Sequence, residues 1–305
     1  MRVLHIAMGS PEFDRACVDL GHEVRRIAWR EVIGRKFYGN THPFLQAKIL
    51  EVSEEFKPNL VFVQTHQSEV ISGSTYYALR DNGAFVVNWC GDVREPLPEC
   101  YVRTASNVDV MAFSNMTDVE LVREKGHQSE YLQIGYDPEI YHPGDGTQER
   151  SGVVFMANHY QGRFPNTELR KEVALRLMKE FPDDFTLYGS GWGMPGVFPV
   201  EANAEADIYR RSLVAINVDH FTRPYFASDR ILRAQACGCL TISWQYEGAS
   251  NEHPYVPTVD NIDLIVALIR NKEDRDAHLA RLQTMHTQEN HTWHSRIKTI
   301  EGWMS

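Results

Sequence analysis

The chain has 305 residues, 43% hydrophobic and 24% charged, a globular composition that excludes a disordered chain. Lys and Arg number 31 against 41 Asp and Glu, a formal net charge of −10, which argues against broad coating of nucleic acid but leaves room for a local basic groove. No run approaches the roughly 20 apolar residues of a membrane span, and the N-terminal apolar run is too short for a signal segment, so a cytoplasmic protein with no membrane partner is expected.

The elements alternate between strand and helix. Val3–Met8 is a short apolar run that reads as a buried strand. Ser10-Pro11 then offers a cap and a first-turn proline, and Phe13, Cys17 and Leu20 follow at helical spacing up to Gly21. Glu23–Trp29 reads as a second strand, and a helix through Phe44–Phe56 ends before Pro58. Leu60–Gln64, Phe85–Trp89 and Val108–Phe113 are further strands, separated by helices at Ser72–Arg80 and Met116–Lys125. The composition shifts to Pro, Gly and Asp over Asp137–Arg150, which reads as a linker.

The rhythm then restarts. Strands are expected at Val153–Met156, Phe185–Tyr188, Leu213–Val218 and Leu240–Trp244. Helices are expected at Glu168–Phe181, Ala206–Arg211, Asp229–Cys237 and Ile262–Arg270. Strand–helix alternation implies parallel sheets covered on both faces. The expected fold is α/β: two Rossmann-like, doubly wound domains facing across a cleft. Residues 1–145 form the first, 146–290 the second, and 291–305 a terminal helix for which a return to the first domain is one option. Chain length fits two domains of ordinary size.

Five cysteines, Cys17, Cys90, Cys100, Cys237 and Cys239, are odd in number and contain no CxxC, which disfavours a disulfide scaffold or zinc ribbon and points to reduced structural thiols. GxxxxGK[ST], GxSxG and HExxH are all missing. The DxD at Asp274–Asp276 sits in a charge-rich helical stretch, where a solvated face is expected and not a metal site.

In doubly wound sheets ligands sit beyond the carboxyl ends of the strands. Four loops there carry chemistry. Asn88-Trp89-Cys90-Gly91-Asp92-Val93-Arg94 brings a carboxylate, Asp92, and a base, Arg94, either as turn chemistry or as a catalytic group. Thr65-His66-Gln67-Ser68 brings His66. Ala227-Ser228-Asp229-Arg230 opens a helix, so Ser228 or Asp229 can cap it. Its free N–H groups and the Arg230 fork suit a diphosphate. Asn158-His159-Tyr160-Gln161-Gly162-Arg163-Phe164 could bring Arg163 to the same phosphates.

The second half resembles the nucleotide-sugar domain of GT-B glycosyltransferases, in particular the spore-maturation-protein-like (group 1) family with phage DNA-glycosyltransferase-type members. The segments that carry this are Leu187-Tyr188-Gly189-Ser190-Gly191-Trp192, Ala215-Ile216-Asn217-Val218, Ser228-Asp229-Arg230 with Ala236-Cys237-Gly238, and His291-Thr292-Trp293-His294-Ser295-Arg296. Val87–Arg94, Ser114–Asp118 and Tyr131–Asp137 resemble phage members. The resemblance implies a metal-independent transferase with no cofactor beyond a nucleotide-diphosphate sugar, a UDP-sugar in the first instance, and retention of anomeric configuration. It implies that Tyr188, Gly189, Gly191 and Trp192 line the nucleobase pocket. Ser228, Asp229, Arg230 and Arg163 would meet the diphosphate, and Asp92 and His66 would face the acceptor hydroxyl.

One position departs from the resemblance. Many relatives carry a ribose-binding glutamate where this chain has Arg233, and the paired upstream glutamate is Tyr225. Phage relatives suggest an acceptor in double-stranded DNA, the hydroxymethyl group of 5-hydroxymethylcytosine. Arg25, Arg26 and Arg94 are the candidate DNA contacts. Arg30, Arg35 and Lys36 extend the basic stretch among Trp29, Phe37 and Tyr38. The alternatives are the same chemistry on a glycan, lipid or protein, and a non-catalytic nucleotide-sugar or DNA-binding module. If phage-encoded, the protein would act in the cytoplasm of a bacterial host.

Overall fold

The computed structural model describes residues 1–9, 11–34, 42–65, 70–147, 149–194, 196–198, 200, 204–285 and 291–305. The chain divides into two compact units, Met1–Gly135 with Thr292–Ser305, and Tyr136–His291.

The first unit contains β1 (Arg2–Ala7), α1 (Glu12–Asp19), β2 (Glu23–Ala28), α2 (Trp29–Ile33), α3 (Pro43–Phe56) and β3 (Leu60–Gln64). It continues with α4 (Gly73–Asp81), β4 (Phe85–Cys90), α5 (Glu99–Ala105), β5 (Val110–Phe113), α6 (Met116–Glu124) and β6 (Ser129–Tyr131). Its sheet has the order β2-β1-β3-β4-β5-β6, and every pairing is parallel. β3 is buried along its whole length, as a strand with helices on both faces requires. The sheet order reverses between β1 and β3, so the loops after these strands border the unit's ligand crevice.

The second unit contains β7 (Ser151–Met156), α7 (Thr167–Glu180), β8 (Phe185–Tyr188), β9 (Val197–Phe198), α8 (Glu205–Arg211) and β10 (Ser212–Asn217). Then come α9 (Asp229–Ala236), β11 (Leu240–Trp244), α10 (Ala249–Glu252), β12 (Thr258–Val259), α11 (Ile262–Arg270) and α12 (Lys272–Met285). The sheet order is β12-β11-β10-β7-β8-β9, again parallel. Its reversal falls between β7 and β10.

A last helix, α13 (Trp293–Trp303), belongs to the first unit. Thr292 caps it by accepting from Ser295 N. Ile297 and Ile300 are fully buried. Trp293 meets Phe13 edge-on at 5.6 Å and Trp89 at 5.7 Å, while Phe13 stacks on Phe62 at 4.3 Å. These aromatic rings form one face of the unit's core.

The stretch expected to be a linker is ordered within the second unit. Tyr136, Asp137 and Tyr141 are buried, Arg210 donates to Ile140 O at 3.0 Å, and Arg150 donates to Cys237 O at 2.6 Å. Pro and Gly there shape turns against a packed surface. The strand expected at Val108–Phe113 starts at Val110. Trp29 leaves its strand to begin α2. The short edge strands β6, β9 and β12 and the helices α2, α5 and α10 had no counterpart in the sequence reading.

Candidate functional site

The reversal point of the second sheet holds a pocket of about 430 Å³. Met156, Ala157 and Asn158 line it from the end of β7, Gly189 and Ser190 from the end of β8. Glu205 comes from α8, Asp229, Arg230 and Arg233 from α9, and Val200 completes the wall.

Close backbone packing shapes the floor. A Cβ on Gly189 would collide with Ala157 O, and one on Gly191 with His159 O; both residues have positive φ, 137° and 79°. Asn158 Oδ1 accepts from Ser190 N at 2.9 Å and from Ser190 Oγ at 3.1 Å, tying the two strand ends together.

The opposite wall is the start of α9. Ser228 caps it, its Oγ accepting from Arg230 N at 3.3 Å. Behind the cap lies Asp219, buried at 7% exposure. Asp219 accepts from Ser228 N at 3.2 Å and from Asn217 Nδ2 at 3.0 Å. Arg230 Nη2 lies 3.6 Å from its Oδ1. Burial pushes the Asp219 carboxyl up, and Arg230 pulls it back toward ionisation. Arg230 Nε is buried and has no hydrogen-bond partner among the described residues.

Arg170, on α7 and almost fully buried, joins the two loops at the reversal point. Nη1 donates to Val218 O at 2.7 Å and Nη2 to Asn158 O at 3.1 Å. Burial, and then repulsion from Arg230, lower its pKa to about 9. His220 packs between Tyr160 at 4.9 Å and Phe164 at 4.8 Å. Burial, followed by Arg170 and Arg230, lowers its pKa to about 3, so the imidazole is neutral at pH 7. Two guanidiniums and a helix N-terminus thus face one buried carboxylate. The remaining positive potential suits an anion.

Of the donor residues expected from sequence, Gly189, Asp229 and Arg230 line the pocket and Ser228 caps its helix. Tyr188, Gly191 and Trp192 do not line it. Trp192 is 6% exposed and turned into the core, its Nε1 donating to Ala157 O at 2.6 Å. Arg163 is exposed and lies over the Phe164 ring at 5.6 Å, also outside the lining. The sequence reading named neither Asn158 nor Glu205 as a site residue. Asn158 stood in a loop valued for Arg163, and an acid in a helix's first turn reads as dipole complement.

In the first unit Asp92 is exposed beyond the end of β4 and bonds Arg94 Nη2 at 2.9 Å. Buried Asn88, two residues before the end of β4, accepts from Thr65 Oγ1 and Tyr76 Oη, each at 2.9 Å. His66, Arg35, Lys36, Phe37 and Tyr38 lie outside the described residues. Arg25 pairs with Glu55 at 3.1 Å and covers the Phe56 ring at 5.0 Å. Arg26 pairs with Asp14 at 3.1 Å and donates to Gly9 O. Both arginines brace their own unit, so neither offers an uncompensated charge.

The two parallel six-stranded sheets define a GT-B fold, and solved structures match it along nearly the whole chain. The catalytic domain of starch synthase IV from Arabidopsis thaliana, bound to ADP and acarbose, covers 99% of this chain and 98% of its own at a TM-score of 0.67 and 9% identity. A UDP-forming α,α-trehalose-phosphate synthase from Burkholderia xenovorans covers 99% and 98% at 0.64 and 12%. An α1,3-fucosyltransferase covers 100% and 90% at 0.54 and 13%. A sequence profile of the family described as glycosyl transferase-like matches residues 170–302, a span that begins at Arg170 and includes α9. No curated protein matches the chain.

Proposed function

We propose that this protein is a glycosyltransferase that binds a nucleoside-diphosphate sugar, a UDP-sugar first, at the reversal point of its second sheet. The observation that carries the reading is Arg230. Its buried Nε has no hydrogen-bond partner among the described residues, its Nη2 is only loosely paired to Asp219, and it stands in the first turn of the capped helix that lines the pocket. The profile match over 170–302 supports it.

The leaving nucleoside diphosphate gains negative charge as the glycosidic bond breaks. The N-terminal N–H groups of α9 and Arg230 stabilise that charge from fixed positions, each preorganised donor contributing about 3–4 kcal/mol. In this reading no divalent metal is required, and transfer persists in excess EDTA. Asp92 meets the acceptor hydroxyl; it takes the proton in an inverting reaction and orients the hydroxyl in a retaining one. Retention is the outcome proposed, read by the anomeric proton coupling of the product.

The acceptor proposed is the hydroxymethyl oxygen of 5-hydroxymethylcytosine in double-stranded DNA. It rests on the resemblance of Val87–Arg94 and Tyr131–Asp137 to phage members. The internal pairing of Arg25 and Arg26 favours a second reading, the same chemistry on a glycan hydroxyl, which needs no phosphate contacts. The test is mass spectrometry of nucleosides from hydroxymethylated DNA incubated with the protein and a panel of nucleotide sugars. A gain of one hexose or pentose mass supports the DNA acceptor. Donor turnover without nucleoside mass gain moves the acceptor to a glycan. The absence of both donor binding and donor turnover overturns the transferase reading.

A further inference from the structure

Arg233 enters the donor pocket from α9, one helical turn beyond Arg230, and Glu205 from the first turn of α8. Arg233 Nη1 bonds Glu205 Oε2 at 3.1 Å and Asp229 Oδ2 at 2.8 Å, and its guanidinium lies 5.0 Å over the Tyr141 ring. Tyr141 Oη donates to the same Glu205 Oε2 at 2.9 Å. Both donors therefore hold one carboxylate oxygen. The other, Oε1, has no hydrogen bond among the described residues, and the side chain retains 20% of its exposure, on a residue that lines the pocket. Desolvation raises the Glu205 pKa and Arg233 opposes the rise.

A carboxylate oxygen fixed in this way selects a donor and repels an anion. The ligand group it meets is a hydroxyl. Arg230 and Arg233 are three residues apart on one helix, which places their Cβ atoms about 5–6 Å apart on the same face. With phosphate at Arg230, the hydroxyl-bearing group one such step along a nucleoside diphosphate is the ribose. We infer that Glu205 accepts from the ribose hydroxyls of the donor nucleotide and makes the pocket select ribonucleoside over 2′,3′-dideoxyribonucleoside diphosphates, with Arg233 and Tyr141 as its positioning residues. The inference rests on the nucleotide-sugar reading. It also gives the departure at position 233 a physical account: the carboxylate comes from α8, and the arginine on α9 orients it.

The test is calorimetric titration of the full chain with UDP, ADP and their 2′,3′-dideoxy counterparts. Wild type is expected to bind the ribose form at least about tenfold more tightly, the value of one hydrogen bond to a charged group. E205A should lose that preference, the ratio of ribose to dideoxy affinity falling toward one. E205Q keeps an acceptor oxygen and should retain part of the preference. Y141F should reduce it by releasing one of the two donors on Oε2. Equal weakening of ribose and dideoxy forms in E205A, in a variant whose thermal unfolding matches wild type, overturns the role of Glu205 and leaves the nucleotide site standing. Lack of preference in wild type overturns it as well. No binding of any nucleoside diphosphate by wild type overturns the nucleotide-sugar reading itself, and this inference with it.

Discussion

Arg230 Nη2 stands 3.6 Å from Asp219 Oδ1, too far for a hydrogen bond and close enough for attraction. Asp219 spends its bonds on Ser228 N and Asn217 Nδ2. It thus steers the guanidinium toward the start of α9 without occupying its donors. Replacing Arg230 by Ala should weaken nucleoside-diphosphate binding about 10- to 100-fold, the range of a charge-assisted bond, and reduce transfer at least as much. Arg230→Lys should recover only part, since an ammonium cannot reproduce the fork. Calorimetry and initial rates check both; unchanged affinity in the Ala variant would remove Arg230 from the phosphate site.

Asp92→Asn should lower the transfer rate and leave donor affinity alone, because Asp92 is proposed to meet the acceptor and does not line the proposed donor pocket. The fall should reach about a hundredfold if Asp92 takes the acceptor proton. A much smaller loss in kcat with a raised acceptor KM indicates orientation alone. Unchanged kinetics would show that the Asp92–Arg94 pair is turn chemistry.

Gly189→Ala should destabilise the second unit by about 2–4 kcal/mol, since the new Cβ meets a backbone carbonyl at a φ of 137°. The loss appears in denaturant unfolding followed by hydrogen exchange in β7 and β8. An unshifted midpoint would mean that the β7 and β8 loop ends can separate freely.

His220 supplies a pH dependence with a definite sign. Its folded pKa of about 3 lies below the ordinary 6.5, so the unfolded chain binds its proton first as pH falls. Its contribution to stability is therefore whole above pH 6.5 and declines steadily between pH 6.5 and about 3. Partial exposure of the ring makes the effect smaller than the full shift implies. His220→Asn should flatten the dependence of Tm on pH in that window, measured against wild type by calorimetry. Parallel curves would count against a neutral, buried imidazole.

Trp293→Ala should cost about 3–5 kcal/mol by opening a cavity beside Phe13 and Trp89. The loss is expected in the first unit, with faster hydrogen exchange in β1, β3 and α1. Loss confined to α13 would show that the helix only rests on that core.

Much of this was legible in the sequence. The central strands β1, β3, β4, β7 and β10 are buried on both faces, and such strands appear as unbroken apolar runs. The edge strands β6, β9 and β12 have three, two and two residues, too short for any periodicity to register. Ser228 and Arg230 could be placed because capping is local chemistry. A tryptophan beside glycines reads equally as a stacking platform and as a core anchor, and the structure places Trp192 in the core through its Nε1 bond to Ala157 O. Glu205 was missed because its partners, Tyr141 and Arg233, are distant along the chain. The weight given to Arg25 and Arg26 reflected charge counted along the sequence, whereas Glu55 and Asp14 cancel it in space.

At the junction between the units the chain passes twice. Tyr136 N donates to His291 O at 3.1 Å, and a Cβ on Gly135 would stand 2.6 Å from Trp293 N. The second unit is therefore spliced into the first as an insertion whose two ends are already stapled together. The first unit, by contrast, cannot finish its aromatic core until the last fourteen residues have been made. On a ribosome the second unit would be fully synthesised and free to fold while its host still waits for α13. A chain stopped just short of Thr292 would thus carry an intact second unit on a first unit that lacks one wall of its core.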